Sequence, residues 1–185
     1  MVSLFKYRHE FLELFPNNSI GLELGVFKGE FTKQILEIVK PSELHLIDVW
    51  WKLYGEYYPN WGAYTGNGTL RTKDAYNEVI SNIFEFRERC RVYVGDDLEI
   101  LKGFSDCYFD WVYIDSSHNY VHTKSELLLL DKKIKVNGFI TGHDWQPDVN
   151  HIHNGVYQAV IEFTEETDWR IIYLDNHTQW GLKRL

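Results

Sequence analysis

The sequence is poor in cysteine, in positive charge and in long apolar runs, and each shortage removes a class of protein. Only Cys90 and Cys107 occur among 185 residues. With no Cys-x-x-Cys pair, they support neither a disulfide framework nor a cysteine-based zinc module. Lys and Arg number 19 against 27 Asp and Glu, a formal charge of −8. Nucleic-acid binding calls for a basic footprint, which this balance does not supply. No apolar run approaches the roughly 20 residues of a membrane span, and the N-terminus lacks the basic-then-apolar design of a signal peptide. The expectation is a cytoplasmic protein without a nucleic-acid or membrane partner. What remains is 44% hydrophobic and 25% charged, as in soluble globular proteins. The length suits one domain over residues 1–185.

Alternation organises the chain. Leu4, Tyr7, Phe11 and Leu14 recur at helical spacing, predicting an N-terminal helix within residues 1–17 that Pro16-Asn17-Asn18 stops. Strands are predicted at 19–24, 43–49, 91–94, 111–114 and 139–141. Helices fall between them, marked by Ile35, Leu36, Ile38 and Val39, by Ala75, Val79 and Ile80, by Leu98–Leu101, by 124–133 and by Val156, Ala159, Val160 and Phe163. Asn137-Gly138 reads as the turn into the fifth strand. Residues 170–174 and 179–183 flank Asp175-Asn176-His177-Thr178 as a hairpin. The fold class is therefore α/β: a doubly wound, mostly parallel seven-stranded sheet, helices on both faces, closed by an antiparallel hairpin.

Ligands of such sheets bind beyond the carboxyl ends of the strands. Acids stand at five of those ends: Glu23, Asp48, Asp96 with Asp97, Asp115, and Asp144 after His143. One such acid is an ordinary turn former; five in succession form a pattern. The segment Glu23-Leu24-Gly25-Val26-Phe27-Lys28-Gly29 chooses among ligands. A dinucleotide fingerprint needs glycine where Phe27 and Glu30 stand, so a pyrophosphate would meet side chains. A nucleoside without phosphates could lie over Gly25 and Gly29, with Asp48 hydrogen-bonded to its ribose.

Glu23-x-Gly25-x-x-x-Gly29, then Asp48, then Gly95-Asp96 resembles the ordered motif set of class I S-adenosylmethionine-dependent methyltransferases. The terminal hairpin is similar to that family's last two strands. More narrowly, Tyr113-Ile114-Asp115-Ser116-Ser117-His118-Asn119-Tyr120, Gly138-Phe139-Ile140-Thr141-Gly142-His143-Asp144-Trp145 and Gly155-Val156-Tyr157-Gln158-Ala159-Val160 resemble a branch of macrolide-sugar (macrocin-type) O-methyltransferases. The resemblance implies that Glu23 and the backbone near Gly25 and Gly29 hold the methionine end of the cofactor. It places Asp48 on the ribose and Asp96 or Asp97 on the adenine amino group. Asp115 and Asp144 would bind a divalent metal, with His143 either joining them or orienting Asp144. Mg²⁺ wants carboxylate oxygens and water, which the two acids provide and an imidazole does not.

His118, three residues past Asp115, is the candidate general base. His151 and His153 read as a solvated loop, with no carboxylate cluster to complete a metal pair. Trp50, Trp51, Tyr54, Tyr57, Tyr58, Trp61 and Tyr64 crowd the loop over 50–70. There they form a lid, a subunit contact compatible with a homo-oligomer, or a face for a sugar. The expected partner is a small-molecule acceptor, a sugar above others, whose hydroxyl attacks the sulfonium methyl in line. The competing readings are a non-catalytic S-adenosylmethionine-binding protein and a nucleotide-sugar or NAD-type oxidoreductase.

Overall fold

The computed structural model describes residues 8–185. Of the predicted N-terminal helix, Leu4 and Tyr7 lie outside that range; Arg8–Leu14 forms a 3-10 helix. The strands are β1 (Ile20–Leu24), β2 (Glu43–Asp48), β3 (Cys90–Val94), β4 (Phe109–Ile114), β5 (Ile134–Gly142), β6 (Trp169–Leu174) and β7 (Trp180–Arg184). The α-helices are α1 (Glu30–Ile38), α2 (Trp51–Tyr54), α3 (Thr72–Asn82), α4 (Asp97–Lys102), α5 (Tyr120–Lys133) and α6 (Asn154–Glu166). Seven strands form one sheet in the order β3-β2-β1-β4-β5-β7-β6. The first five are parallel, and β7 runs antiparallel to both β5 and β6.

Period-two alternation builds the core. On β4, Trp111 and Tyr113 turn to the face covered by α1, α3 and the 3-10 helix, where Phe11, Ile35 and Val79 are buried. Val112 and Ile114 turn to the opposite face, under α5 and α6 with Leu127, Val160 and Phe163. Strands buried on both faces read as the near-continuous apolar runs of a parallel sheet. On α1, buried Thr32, Ile35 and Leu36 recur at helical spacing and set its inward face. Among the described residues no helix is long and apolar enough to cross a membrane.

Two stretches differ from the sequence-based expectation. The predicted loop over 50–70 contains α2 and a 3-10 stretch, Gly62–Gly68, and an antiparallel bridge between Tyr57 and Arg71 closes it. Asn137-Gly138 is no turn between elements, because β5 starts directly after α5 and runs through it. It is instead a bulge, since β4 pairs jump from Phe109–Ile134 to Trp111–Phe139. A Cβ on Gly138 would stand 2.6 Å from the Asp110 carbonyl oxygen, so glycine there serves a close backbone approach.

Since β1 is flanked by β2 and β4, the chain winds away from it in opposite directions. The crevice of such a sheet opens at the carboxyl ends of that central pair. There the Asp115 amide donates to the Leu24 carbonyl at 2.7 Å.

Candidate active site

Gly25 follows β1 with a φ of +84°, and a Cβ on it would stand 2.0 Å from the Asp115 carbonyl oxygen. Gly29 caps α1 in the left-handed region at +76°, its missing Cβ 3.2 Å from Val79 Cα. Both glycines thus have a backbone reason to be there: they let the β1–α1 turn pack closely on Asp115 and on Val79. Glu23 is buried beneath it, accepting from the Thr32 hydroxyl at 2.6 Å.

Asp48, expected on a ribose, is engaged with the turn itself. Its Oδ2 accepts from the Val26 and Phe27 amides at 2.8 and 2.7 Å, and its Oδ1 from the Trp50 amide at 3.2 Å. Burial raises its pKa above the ordinary value against the pull of those amides. The Trp50 indole donates to the Phe27 carbonyl at 2.9 Å, so one acid and one tryptophan fix the conformation of the loop.

The two acids expected near adenine separate. Asp96 is exposed and caps α4, accepting from the Glu99 amide at 3.0 Å. Asp97 is buried and stands 2.8 Å from His122 Nε2 on α5. One turn further, fully buried Glu126 accepts from the Ser116 hydroxyl at 2.6 Å. Its other oxygen has no donor to accept from. Burial, then the charge of Asp97, push the Glu126 carboxyl well above its usual range. Sequence reading missed this cluster, although His122 and Glu126 sit at the i, i+4 spacing that places side chains together on a helix.

The hydrogen bond to Asp97 is the main cause holding the His122 pKa above the ordinary 6.5. A raised folded-state value contributes stability that is fully present below the unfolded value and is lost as pH rises through the folded one. Wild-type protein should lose stability as pH climbs past about 6.5. His122→Gln should be about 1–3 kcal/mol less stable at pH 6 and decline less steeply above it, as chemical denaturation at a series of pH values will show.

A denser cluster forms where β4 and β5 end. His118 Nε2 lies 3.1 Å from Asp115 Oδ1 and 3.2 Å from Asp144 Oδ2. His143 Nδ1 lies 3.6 and 3.4 Å from the same two oxygens. His118 and Asp144 have positive φ, 59° and 61°, an uncommon state for residues other than glycine. Burial disfavours the charged form of His118, but the hydrogen bond and charge of Asp115, with the charge of Asp144, raise its pKa above 6.5. Burial likewise opposes ionisation of Asp144, yet the hydrogen bond from His143 and the charges of His118 and His143 bring its carboxyl down to about 2.

His153, read as part of a solvated loop, belongs to this cluster: its Nδ1 is 2.9 Å from Asp144 Oδ1. It immediately precedes α6, which carries it back over the end of β5, whereas His151 is exposed. Its sequence signal is the alternation of His151 and His153, which reads as a metal pair only when a carboxylate such as Asp144 is known to be near.

The aromatic loop folds onto the glycine turn. Tyr58 is buried against Phe27, Tyr54 and Trp61, and Tyr64 stacks on Phe27 with centroids 4.4 Å apart. Trp50 is fully buried, while Tyr57 and Tyr64 remain 46% and 64% exposed. Packing thus claims part of the ring set and leaves part facing outward beside the crevice.

The chain matches the methyltransferase domain family over residues 22–145. No curated protein sequence matches it. Among solved structures it is similar to SMU.1697c from Streptococcus mutans, in complex with SAH, at 13% identity and a TM-score of 0.62, covering 96% of this chain and 95% of that one. It is similar to the O-methyltransferase TomG from Streptomyces achromogenes, involved in tomaymycin synthesis and in complex with SAM, at 17% identity and a TM-score of 0.60, covering 94% and 75%. Spermidine synthase from Thermotoga maritima shares the fold at 16% identity and a TM-score of 0.58, covering 94% and 57%. These likenesses establish the fold alone, on which more than one chemistry is built. The matched segment contains the glycine turn, Asp48 and the strand-end acids up to Asp144, and the chain belongs to this methyltransferase-domain family.

Proposed function

We propose that this protein is an S-adenosylmethionine-dependent O-methyltransferase of the macrocin-type branch, acting on a hydroxyl of a small molecule, a sugar or glycosylated metabolite, with a divalent cation. The observation that carries this reading is the convergence of Asp115, His118, His143 and Asp144 beside the Gly25 turn, at the crevice where such sheets bind ligands. A nucleoside with no phosphates suits a turn whose third position is Phe27 rather than glycine. The Gly25 turn and the buried Glu23 mark the place proposed for the methionine end.

Transfer is a direct displacement. A lone pair of the acceptor oxygen forms the new bond to the methyl carbon, the carbon–sulfur bond breaks with its pair going to sulfur, and the hydroxyl proton passes to solvent water. Holding oxygen and methyl at near-attack distance supplies roughly 7–11 kcal/mol of the acceleration. Two carboxylate oxygens among imidazole nitrogens form a donor set that fits a divalent cation. Such a cation lowers the pKa of a hydroxyl that meets it. His118, expected from the sequence as a general base, meets a constraint. Its Nε2 already stands between both carboxylates, so the nitrogen that would accept a proton is occupied. In this arrangement His118 holds the two acids together.

The exposed rings of Tyr57 and Tyr64 would form the acceptor's wall. Replacing both with Ala should raise acceptor KM roughly five-fold, at about 1 kcal/mol for a ring contact, and leave cofactor affinity unchanged. Steady-state kinetics on the double variant would show it; a loss of stability with unchanged KM would return both rings to packing. The function itself is tested by incubating labelled cofactor with free and nucleotide-linked sugars. Label is expected as a methyl ether on a hydroxyl. Label found only on nitrogen or sulfur acceptors would contradict O-transfer.

A further inference from the structure

We infer that Asp97, His122 and Glu126 form a second metal site, between α4 and α5, which takes a first-row transition-metal dication and clamps the two helices together. The inference goes beyond the proposed function and does not rest on it, because none of the three residues belongs to the strand-end cluster.

Two helices bring the donors together. Asp97 is the first residue of α4, and His122 and Glu126 stand on successive turns of α5, on one face at i, i+4 spacing. The Asn119 side chain accepts from the His122 amide at 3.0 Å and so fixes the turn that carries the imidazole. His122 Nε2 lies 2.8 Å from Asp97 Oδ1 and 3.7 Å from Glu126 Oε1. One donor atom from each of the three residues lies within 4.8 Å of the other two. Donors bonded to one ion at about 2.0–2.2 Å stand roughly 3–4.4 Å apart, from neighbouring to opposite positions. Shifts of a few tenths of an ångström, on the order of ordinary side-chain adjustment, would bring these three to that spacing. The His122 side chain, 23% exposed, leaves the cluster a side open to solvent.

The buried acids lack positive partners. Among the described residues, His122 is the sole ion-pair partner of Asp97 and of Glu126, although a buried carboxylate is costly unless paired. Its Nε2 closes on Asp97 and stands off from Glu126. Glu126 is fully buried, and the Ser116 hydroxyl donates to its Oε1 at 2.6 Å, while Oε2 meets no donor. A buried acceptor without a donor calls for a ligand or an ion. A dication among the three residues balances both carboxylates and gives Oε2 a partner. Ser116 then orients the ligating carboxyl from outside, as outer contacts of metal sites do.

The donor types select the ion. Mg²⁺ takes oxygen ligands and gives up water reluctantly, whereas imidazole suits zinc, iron, nickel and copper. One imidazole with two carboxylates is a ligand set that zinc accepts, with a fourth position left for water.

Calorimetry tests the site on metal-stripped full-length protein carrying Asp115→Asn and Asp144→Asn, which remove the carboxylates of the strand-end cluster. One Zn²⁺ per chain should still bind, with a rise in melting temperature that follows its concentration. In that background Glu126→Gln, the same shape without the charge, and His122→Ala should each weaken Zn²⁺ binding by more than about tenfold, the least that loss of even an outer contact costs. X-ray absorption of the zinc-loaded background protein should show a nitrogen and oxygen shell with scattering from one imidazole. In the unsubstituted protein, the His122 ring resonances should shift on addition of Zn²⁺, a readout that needs no variant to fold. No Zn²⁺ bound to the background protein would mean that the Asp97 and Glu126 carboxyls are held by hydrogen bonds alone, and would overturn the site. A shell with two or more imidazoles, unmoved His122 resonances, or unchanged affinity in both variants would overturn it equally.

Discussion

Asp144→Asn is expected to lower methyl transfer by about 10²–10³-fold, the usual loss when one preorganised electrostatic group is removed from a reaction centre. Asp115→Asn should do the same. The substitution keeps the size and shape of the side chain. It replaces an oxygen that faces two imidazole nitrogens at 3.2 and 3.4 Å with a neutral amide group. One negative charge is lost from the crevice, and neither His118 nor His143 retains its pair of acids. Because the glycine turn, Glu23 and Asp48 are untouched, cofactor affinity should stay within about threefold, well under the 1.4 kcal/mol of a tenfold change. Single-turnover rates and calorimetry on each variant provide both numbers. A rate within tenfold of wild type would reduce the two acids to polar strand ends.

Gly25→Ala is expected to be the most damaging single substitution for stability, with a loss of at least about 4 kcal/mol. The added carbon would lie 2.0 Å from the Asp115 oxygen and 2.5 Å from its carbonyl carbon, so backbone must move. The element that moves carries the Asp115 amide, whose bond to Leu24 ties β4 to β1. Gly55→Ala is the matched control. It too has a positive φ, +70°, but nothing lies within 4 Å of its Cβ, leaving only the strain of a φ +70°, ψ −138° backbone that glycine alone adopts readily, about 1–3 kcal/mol. Urea unfolding of both variants should show that separation. Equal losses would mean that conformational strain, and not the contact between β1 and β4, makes Gly25 necessary.

The sheet was legible because burial on both faces writes long apolar strands and the covering helices keep a 3.6-residue period. Leu22, Ile35, Val112 and Val160 mark those patterns without reference to anything distant. Acids at successive strand ends pointed to one edge of the sheet, and Asp115, His118, His143 and Asp144 do meet there. Other features depend on contacts that no local pattern encodes. The inward use of Asp48 follows from where Val26 and Phe27 present their amides, which depends on Phe27 holding a φ of +52°. His153 lies in an irregular segment and meets Asp144 only because α6 packs back toward the sheet. Glu126 sits among leucines on α5, and its raised pKa comes from burial and then from Asp97, 29 residues earlier in the chain. The bulge at Gly138 copies the residue pair of an ordinary turn, and only the pairing of β4 with β5 distinguishes the two.

The most direct test of the proposed function is calorimetric titration of the wild-type protein with S-adenosylhomocysteine and, separately, with NAD. One molecule of S-adenosylhomocysteine per chain is expected to bind, with a rise in melting temperature that follows ligand concentration by mass action. NAD should give no heat, because Phe27 and Glu30 stand where a pyrophosphate needs glycine. NAD bound and S-adenosylhomocysteine ignored would contradict the account at its root.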